Sequence, residues 1–138
     1  MFILDPAFET GSAALIDLPL CAARLQLDAR FPWIVLIPRR PGARELEDLS
    51  VADRAALMTE IVSAGVAVRA MGLALGRPVA KLNVGALGNI TPQLHVHVVG
   101  RRPDDSAWPG PVWGIGDSAS YDEAALAAVR AAALAAVV

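Results

Sequence analysis

His95 and His97 are the only histidines in the chain, and they stand two residues apart. They fall in Leu94-His95-Val96-His97-Val98-Val99, a run whose β-branched residues and alternation predict a strand. In a strand, side chains at i and i+2 share a face about 7 Å apart. Both imidazoles would then project to one side while Val96 and Val98 point into a core. Neutral imidazole is a nucleophile, and it also exchanges protons near neutral pH. One such ring can attack a phosphorus centre while the other assists a leaving group. The same spacing also suits two plain surface histidines, or two metal ligands, although no clear third ligand accompanies them.

The elements that must position this pair can be read around it. Lys81-Leu82-Asn83-Val84 predicts a short strand, and Gly85–Asn89 a glycine-containing loop leading toward the histidines. The apolar run Leu20–Leu27 ends at Asp28, and its last part, Arg24–Asp28, alternates as a half-buried strand does. Trp33–Ile37 lies between Pro32 and Pro38 and is continuously apolar, which predicts a strand covered on both faces. These two strands, joined by Ala29–Pro32, form an expected antiparallel hairpin. Ser50 reads as an N-cap with Asp53 as a capping-box acid. Leu57, Ile61, Ala64, Val68 and Met71 then make one apolar helical stripe, core or dimer surface, which Val62 and Val66 widen to a second covered face. Gly72 and Gly76 end that helix. Asp122 or Ser120 opens an alanine-rich helix over about residues 120–137. Strands arranged around one long helix predict an α+β fold with an antiparallel sheet.

Composition narrows the function classes. A chain of 138 residues, 55% hydrophobic and 19% charged, is a single globular domain rather than a disordered segment. Twelve basic against fourteen acidic residues give a net charge of −2, so duplex nucleic acid is not an expected partner. Cys21 is the only cysteine, which removes an internal disulfide and a CxxC redox pair; it reads as a small buried hydrophobe. The first residues show no secretory signal. The alanine-rich stretch from Ala124 to Val138 is interrupted by Arg130 and is shorter than the ~20 residues a bilayer requires. A cytoplasmic protein without a membrane partner is expected.

Gln93-Leu94-His95-Val96-His97-Val98-Val99 resembles the histidine triad (HIT) signature, His-φ-His-φ-His-φ-φ, with Gln93 in place of the first histidine. Gly88-Asn89 stands where that family carries Gly-Gln, and Asn83 where it often carries an asparagine. Trp108-Pro109 resembles the Trp-Pro that follows the triad in Hint-like members. Asp28 is similar to the family's ribose-binding acid, and Ile37-Pro38-Arg39-Arg40 to its Ile-Pro followed by two basic residues. The resemblance spans about residues 20–114.

It implies a single HIT-like domain over residues 1–138: an antiparallel sheet of about five strands, one long helix and a C-terminal helix. A homodimer with a continuous double sheet is implied as well. The implied activity is that of a Hint/Fhit-like nucleotide hydrolase or nucleotidyl transferase. It would act at the α-phosphate of a dinucleoside polyphosphate or nucleoside phosphoramidate, without metal or other cofactor. His95 maps to the nucleophile that forms a covalent nucleotidyl-histidine, and His97 to the histidine that bonds phosphate and leaving-group oxygens. Gln93, Asn83, Asn89, Asp28, Thr91 and Trp108 are the implied phosphate- and nucleotide-binding residues. The family orients its nucleophile through the first triad residue's backbone carbonyl, which Gln93 keeps; its amide is expected to replace an outer hydrogen bond.

The chain departs from the pattern at Ile90, where the family has a phosphate-binding hydroxyl and Thr91 lies one residue out of register, and at Trp33, which replaces an upstream histidine. A nucleotide-binding or sensing protein without turnover is the alternative. Trp108 also suits packing alone. Arg39-Arg40 and Arg101-Arg102 read as solvated strand ends.

Overall fold

Every residue of Trp33–Pro38 is buried, and the sheet is assembled around that strand. In a computed structural model that describes residues 1–137, the elements run α1 (Ala7–Gly11), β1 (Ser12–Asp17), β2 (Cys21–Gln26), β3 (Trp33–Pro38) and a 3-10 turn (Leu46–Asp48). They continue with α2 (Val51–Ala74), β4 (Lys81–Gly85), β5 (Val96–Arg101) and α3 (Glu123–Ala136). The five strands lie in the order β1-β2-β3-β5-β4, each pair antiparallel. This is the α+β architecture expected, with the hairpin of β2 and β3 at its middle.

Alternation along β3 divides the molecule into two layers. Ile34 and Leu36 meet Val96 and Val98 and the buried stripe of α2, Leu57, Ala64, Val68 and Met71. Trp33, Val35 and Ile37 face the other way, with Phe8, Phe31, Val99 and Val112. Each such side chain taken from water contributes about 1.5–3 kcal/mol, so a strand buried on both faces is a strong organiser.

The α2 helix starts as its sequence predicts, with Ser50 Oγ accepting from Asp53 N at 3.1 Å. Asp53 does not reach back to complete a capping box; its carboxylate takes Arg40 instead, at 2.6 and 2.9 Å. The helix continues through Gly72. It stops where Gly76, at φ +68°, enables a paired bond pattern in which Arg77 N reaches Gly72 O and Gly76 N reaches Leu73 O. Val62 and Val66 depart from expectation: both are more than half exposed, so the helix buries one stripe and leaves a second uncovered in the single chain.

Two further differences have physical reasons. β1 and α1 are not predicted, because Ser12–Asp17 carries Ala13-Ala14-Leu15-Ile16 as an unbroken run without the alternation of an edge strand. Its Ala14 carbonyl is capped by Arg130 Nη1 at 2.8 Å. β5 begins at Val96, not Leu94. Continuing the β3 register would set Leu94 opposite Pro38, which has no N–H, and Leu94 N turns to Ala43 O instead. His95 therefore stands just before the strand and His97 within it. The terminal helix starts after Asp122, whose carboxylate accepts from Ala125 N at 2.7 Å. The turn between β1 and β2 is held from the helix layer, where the buried Glu60 carboxylate accepts from Leu20 N and Cys21 N, both at 2.8 Å. Cys21 is fully buried as expected, and burial, with Glu60 beside it, pushes its thiol pKa up.

Gly100 leaves no room for a side chain. A Cβ there would lie 2.7 Å from both Pro32 Cγ and Val79 Cγ2, and 3.0 Å from Val68 Cγ1. Gly100→Ala is therefore expected to lower the unfolding free energy by about 1–3 kcal/mol, read as an earlier midpoint in urea. An unchanged midpoint would contradict this packing.

Candidate active site

His95 and His97 come together at the end of β5 with ring centroids 4.9 Å apart and planes at 77°. Each Nδ1 has one partner, and the two partners are opposite in kind. His95 Nδ1 lies 2.7 Å from the Gln93 carbonyl oxygen; only an N–H can satisfy that acceptor, so Nδ1 carries the hydrogen. His97 Nδ1 accepts from the Trp33 indole N–H at 3.0 Å, so its own hydrogen sits on Nε2. The neutral pair thus presents a bare Nε2 on His95 and an Nε2–H on His97. Burial, with the His95 imidazole beside it, lowers the His97 pKa to about 4, so that ring is neutral at physiological pH.

Aromatic edges fix both rings. Phe8 meets His95 at 4.9 Å, and Trp33 and Trp113 meet His97 at 5.5 and 5.3 Å, all in T-shaped geometry. A cleft of about 250 Å³ opens onto the two imidazoles, walled by Leu87–Thr91 and by Trp113. Gly88, at φ +72°, turns the loop that forms this wall. Gly85, the cross-strand partner of His97, makes room for Trp113, whose Cη2 would lie 3.2 Å from a Cβ there.

The residues expected from sequence divide into two groups. Asn89 and Thr91 line the cleft with both histidines, beside the exposed Ile90. Asn83 lies on the histidine face of β4, two residues from Gly85; its Oδ1 accepts from Arg101 Nη1 at 2.7 Å. Gln93 contributes its carbonyl to His95, while its side chain turns away to the N-terminal segment, bonding Asp5 N and Ile3 O.

Asp28 and Trp108 do not line the cleft. Asp28 is buried against Arg30 at 2.9 Å and also accepts from Ala119 N. Burial works against its charge, but Arg30 and those N–H groups hold its carboxyl below the usual range. Trp108 lies over the Arg101 guanidinium at 5.8 Å.

Arg101 is a correction: it is fully buried, not solvated. Two of its nitrogens bind Asp105 at 2.9 and 3.0 Å, and its guanidinium also lies over the Phe31 ring. Burial alone would raise the Asp105 carboxyl. Arg101 and the N–H groups of Arg102, Ala107 and Trp108 instead hold it down to about 2. Arg39 is also occupied, donating to the carbonyls of Leu18 and Cys21.

Sequence reasoning missed Phe8 and Trp113, and assigned Trp33 no role at the pair. Trp33 carried a signal, since it stands where the family has a histidine. Trp113 and Phe8 lie in segments whose pattern shows nothing, and only folding brings them to the rings. Among the described residues, no three metal-ligating side chains cluster.

The chain is similar to known proteins over nearly its whole length. Residues 7–104 match the HIT domain family. A histidine triad protein from Bradyrhizobium japonicum is 37% identical and covers 99% of this chain and 98% of its own, with a TM-score of 0.90. One from Sinorhizobium meliloti 1021 is 38% identical over 98% and 96%, with a TM-score of 0.88. One from Marinobacter aquaeolei VT8 is 35% identical over 99% and 96%, with a TM-score of 0.89. No curated protein matches the chain.

The electrostatics give a pH dependence with a definite sign. In the unfolded chain His97 takes up its proton near pH 6.5, whereas in the fold it stays neutral until about 4. Between those values the unfolded state holds more protons, so this contribution to stability is complete above 6.5 and is lost as the pH falls toward 4. An NMR titration of the ring is expected to find a midpoint near 4. A midpoint at the ordinary histidine value would refute the half-buried, indole-bonded geometry.

Proposed function

The chain belongs to the histidine triad (HIT) family, and we propose that it is a nucleotide hydrolase or nucleotidyl transferase working through His95. Members of this family are typically nucleotide-binding hydrolases and transferases. The observation that carries the reading is the opposed pair of tautomers. A ring that donates from Nδ1 to a carbonyl has its Nε2 lone pair free and made more electron-rich, which suits a nucleophile. A neighbour presenting Nε2–H suits the stabilisation of phosphoryl and leaving-group oxygens.

On this reading His95 Nε2 attacks the α-phosphorus of a nucleoside 5′-phosphoryl conjugate. A P–N bond forms as the bond to the leaving group breaks; the leaving group departs with that electron pair and takes a proton from solvent, which the water attacking in the next step returns. Water then attacks the nucleotidyl-histidine, the P–N bond breaks, and the nucleoside monophosphate leaves with the imidazole restored. His97 and the loop at Gly88–Asn89 would supply donors to the charged transition state. Asn83, its oxygen already committed to Arg101, would add its amide N–H. Trp113 offers an aromatic wall beside the phosphate position.

Binding without turnover is the second reading. One observation favours it: Ile90, where the family carries a hydroxyl, is fully exposed and offers the phosphate nothing. Intact mass after mixing with an activated nucleotide separates the two, because a nucleotidyl adduct on the wild type supports the enzyme and binding without adduct or product supports the sensor. His95→Ala is expected to remove turnover by on the order of 10⁶-fold, the scale for deleting a covalent nucleophile, with the fold retained. Hydrolysis at the original rate in that variant would overturn the assignment.

The same reading includes a homodimer. Val51, Met58, Val62, Val66 and Leu73 form an apolar stripe along α2, each more than half exposed, and β4 is an unpaired edge strand. A second copy laid against both would cover the stripe and join two sheets. Sedimentation is expected to give a dimer, and Val62→Asp combined with Val66→Asp a monomer. A wild-type monomer at tens of micromolar (about the concentration of a weak dimer) would exclude this arrangement.

A further inference from the structure

We infer that residues Ile3–Phe8 form a strap that positions His95, with Gln93 and Phe8 as its positioning residues; this rests on the reading of His95 as the nucleophile. The Gln93 side-chain amide bonds the strap at two points, Nε2 donating to Ile3 O at 2.8 Å and Oε1 accepting from Asp5 N at 2.8 Å. Bonding the carbonyl of one residue and the N–H two residues later is what a residue of a parallel strand does to its neighbour. The glutamine amide thus substitutes for one rung of a ladder. An imidazole, with no carbonyl-and-amide pair, cannot make both bonds in this way.

Two restraints on His95 meet at Asp5. Asp5 N holds Gln93, whose own carbonyl receives the His95 Nδ1–H at 2.7 Å. Asp5 O receives Phe8 N at 3.1 Å, and Phe8 sets its ring 4.9 Å from His95 on another side. The Asp5 carboxylate accepts from Ala7 N at 2.9 Å and fixes the turn between them. Phe2 and Leu4 pack against the cluster around Trp33 and Val35, which attaches the strap to the sheet beside the clamp.

The strap predicts that the nucleophile's tautomer and rate respond to residue 5. Gln93→Met keeps the side-chain length and removes both bonds; Asp5→Pro removes the N–H from the other end. With ¹⁵N-labelled histidine, wild-type His95 is expected as the single Nδ1–H tautomer, and each variant as a mixture. Each is expected to lower kcat about tenfold, the size of one hydrogen bond, with KM within about twofold. The double variant should lose less than the product of the two single losses, because both remove the bond from Asp5 N to Gln93 Oε1. Glu60→Gln, which weakens a remote turn, should lower Tm and leave the tautomer unchanged.

Unchanged tautomer and kcat in Gln93→Met would overturn the strap, and so would effects that multiply in the double variant. Should Asp5→Pro fail to fold, Gln93→Met decides alone. Absence of hydrolysis in the wild type would sink the proposed function and not the strap, which the NMR readout tests without substrate.

Discussion

The pairing of β5 with β3 in one register is the constraint from which the site follows. Val35 opposite His97 and Ile34 opposite Val98 put the imidazole on one face and the valines on the other. A slip of one residue would turn His97 into the layer under α2 and expose the valines that fill it. That exchange would bury a polar ring without its partner and lose two aliphatic contacts, an outcome unfavourable by several of the ~1–3 kcal/mol increments such changes carry. Gly100 reinforces the register, since no larger residue fits where β5 passes Pro32 and Val79.

Within that frame, two hydrogen bonds of opposite direction give two chemically equal side chains different identities. The Gln93 carbonyl and the Trp33 indole are each worth only about 0.5–1.5 kcal/mol as interactions. Their importance is that they choose which nitrogen is free. A donor in place of the carbonyl, or an acceptor in place of the indole, would leave the same residues with the wrong atoms facing the cleft. Trp33 is therefore more than a lost histidine: it orients its neighbour and fixes that ring's tautomer from within a buried layer.

Much of this was legible in the sequence where the signal is local. The bracketing of β3 by prolines, the caps at Ser50 and Asp122, and the glycine loop at Gly88 depend on residues within a few positions of one another, and each stands where its pattern places it. The histidine pair with Asn89 and Thr91 is local in the same sense. What pattern could not show is contact across long separations. Gln93 meets residues 3 and 5, Trp33 meets His97, and Glu60 meets residues 20 and 21; none of these partners leaves a mark in the other's neighbourhood. Arg101 misled for a related reason. An arginine after a strand is ordinarily solvated, and only the return of the chain at Asp105 makes its burial tolerable. Val62 and Val66 were read by period alone, which reports that a face is apolar and not what covers it.

The Arg101–Asp105 pair has a consequence for how the protein would fail in acid. Asp105 is held at about 2 and His97 at about 4, so on acidification the ring gains its charge first. Between those values the segment from Arg102 to Trp108 is still anchored, and Asn83 still hangs from Arg101. The His97 ring would therefore become charged, and its Nδ1 would cease to accept the Trp33 indole N–H, while the Arg101–Asp105 pair is still in place.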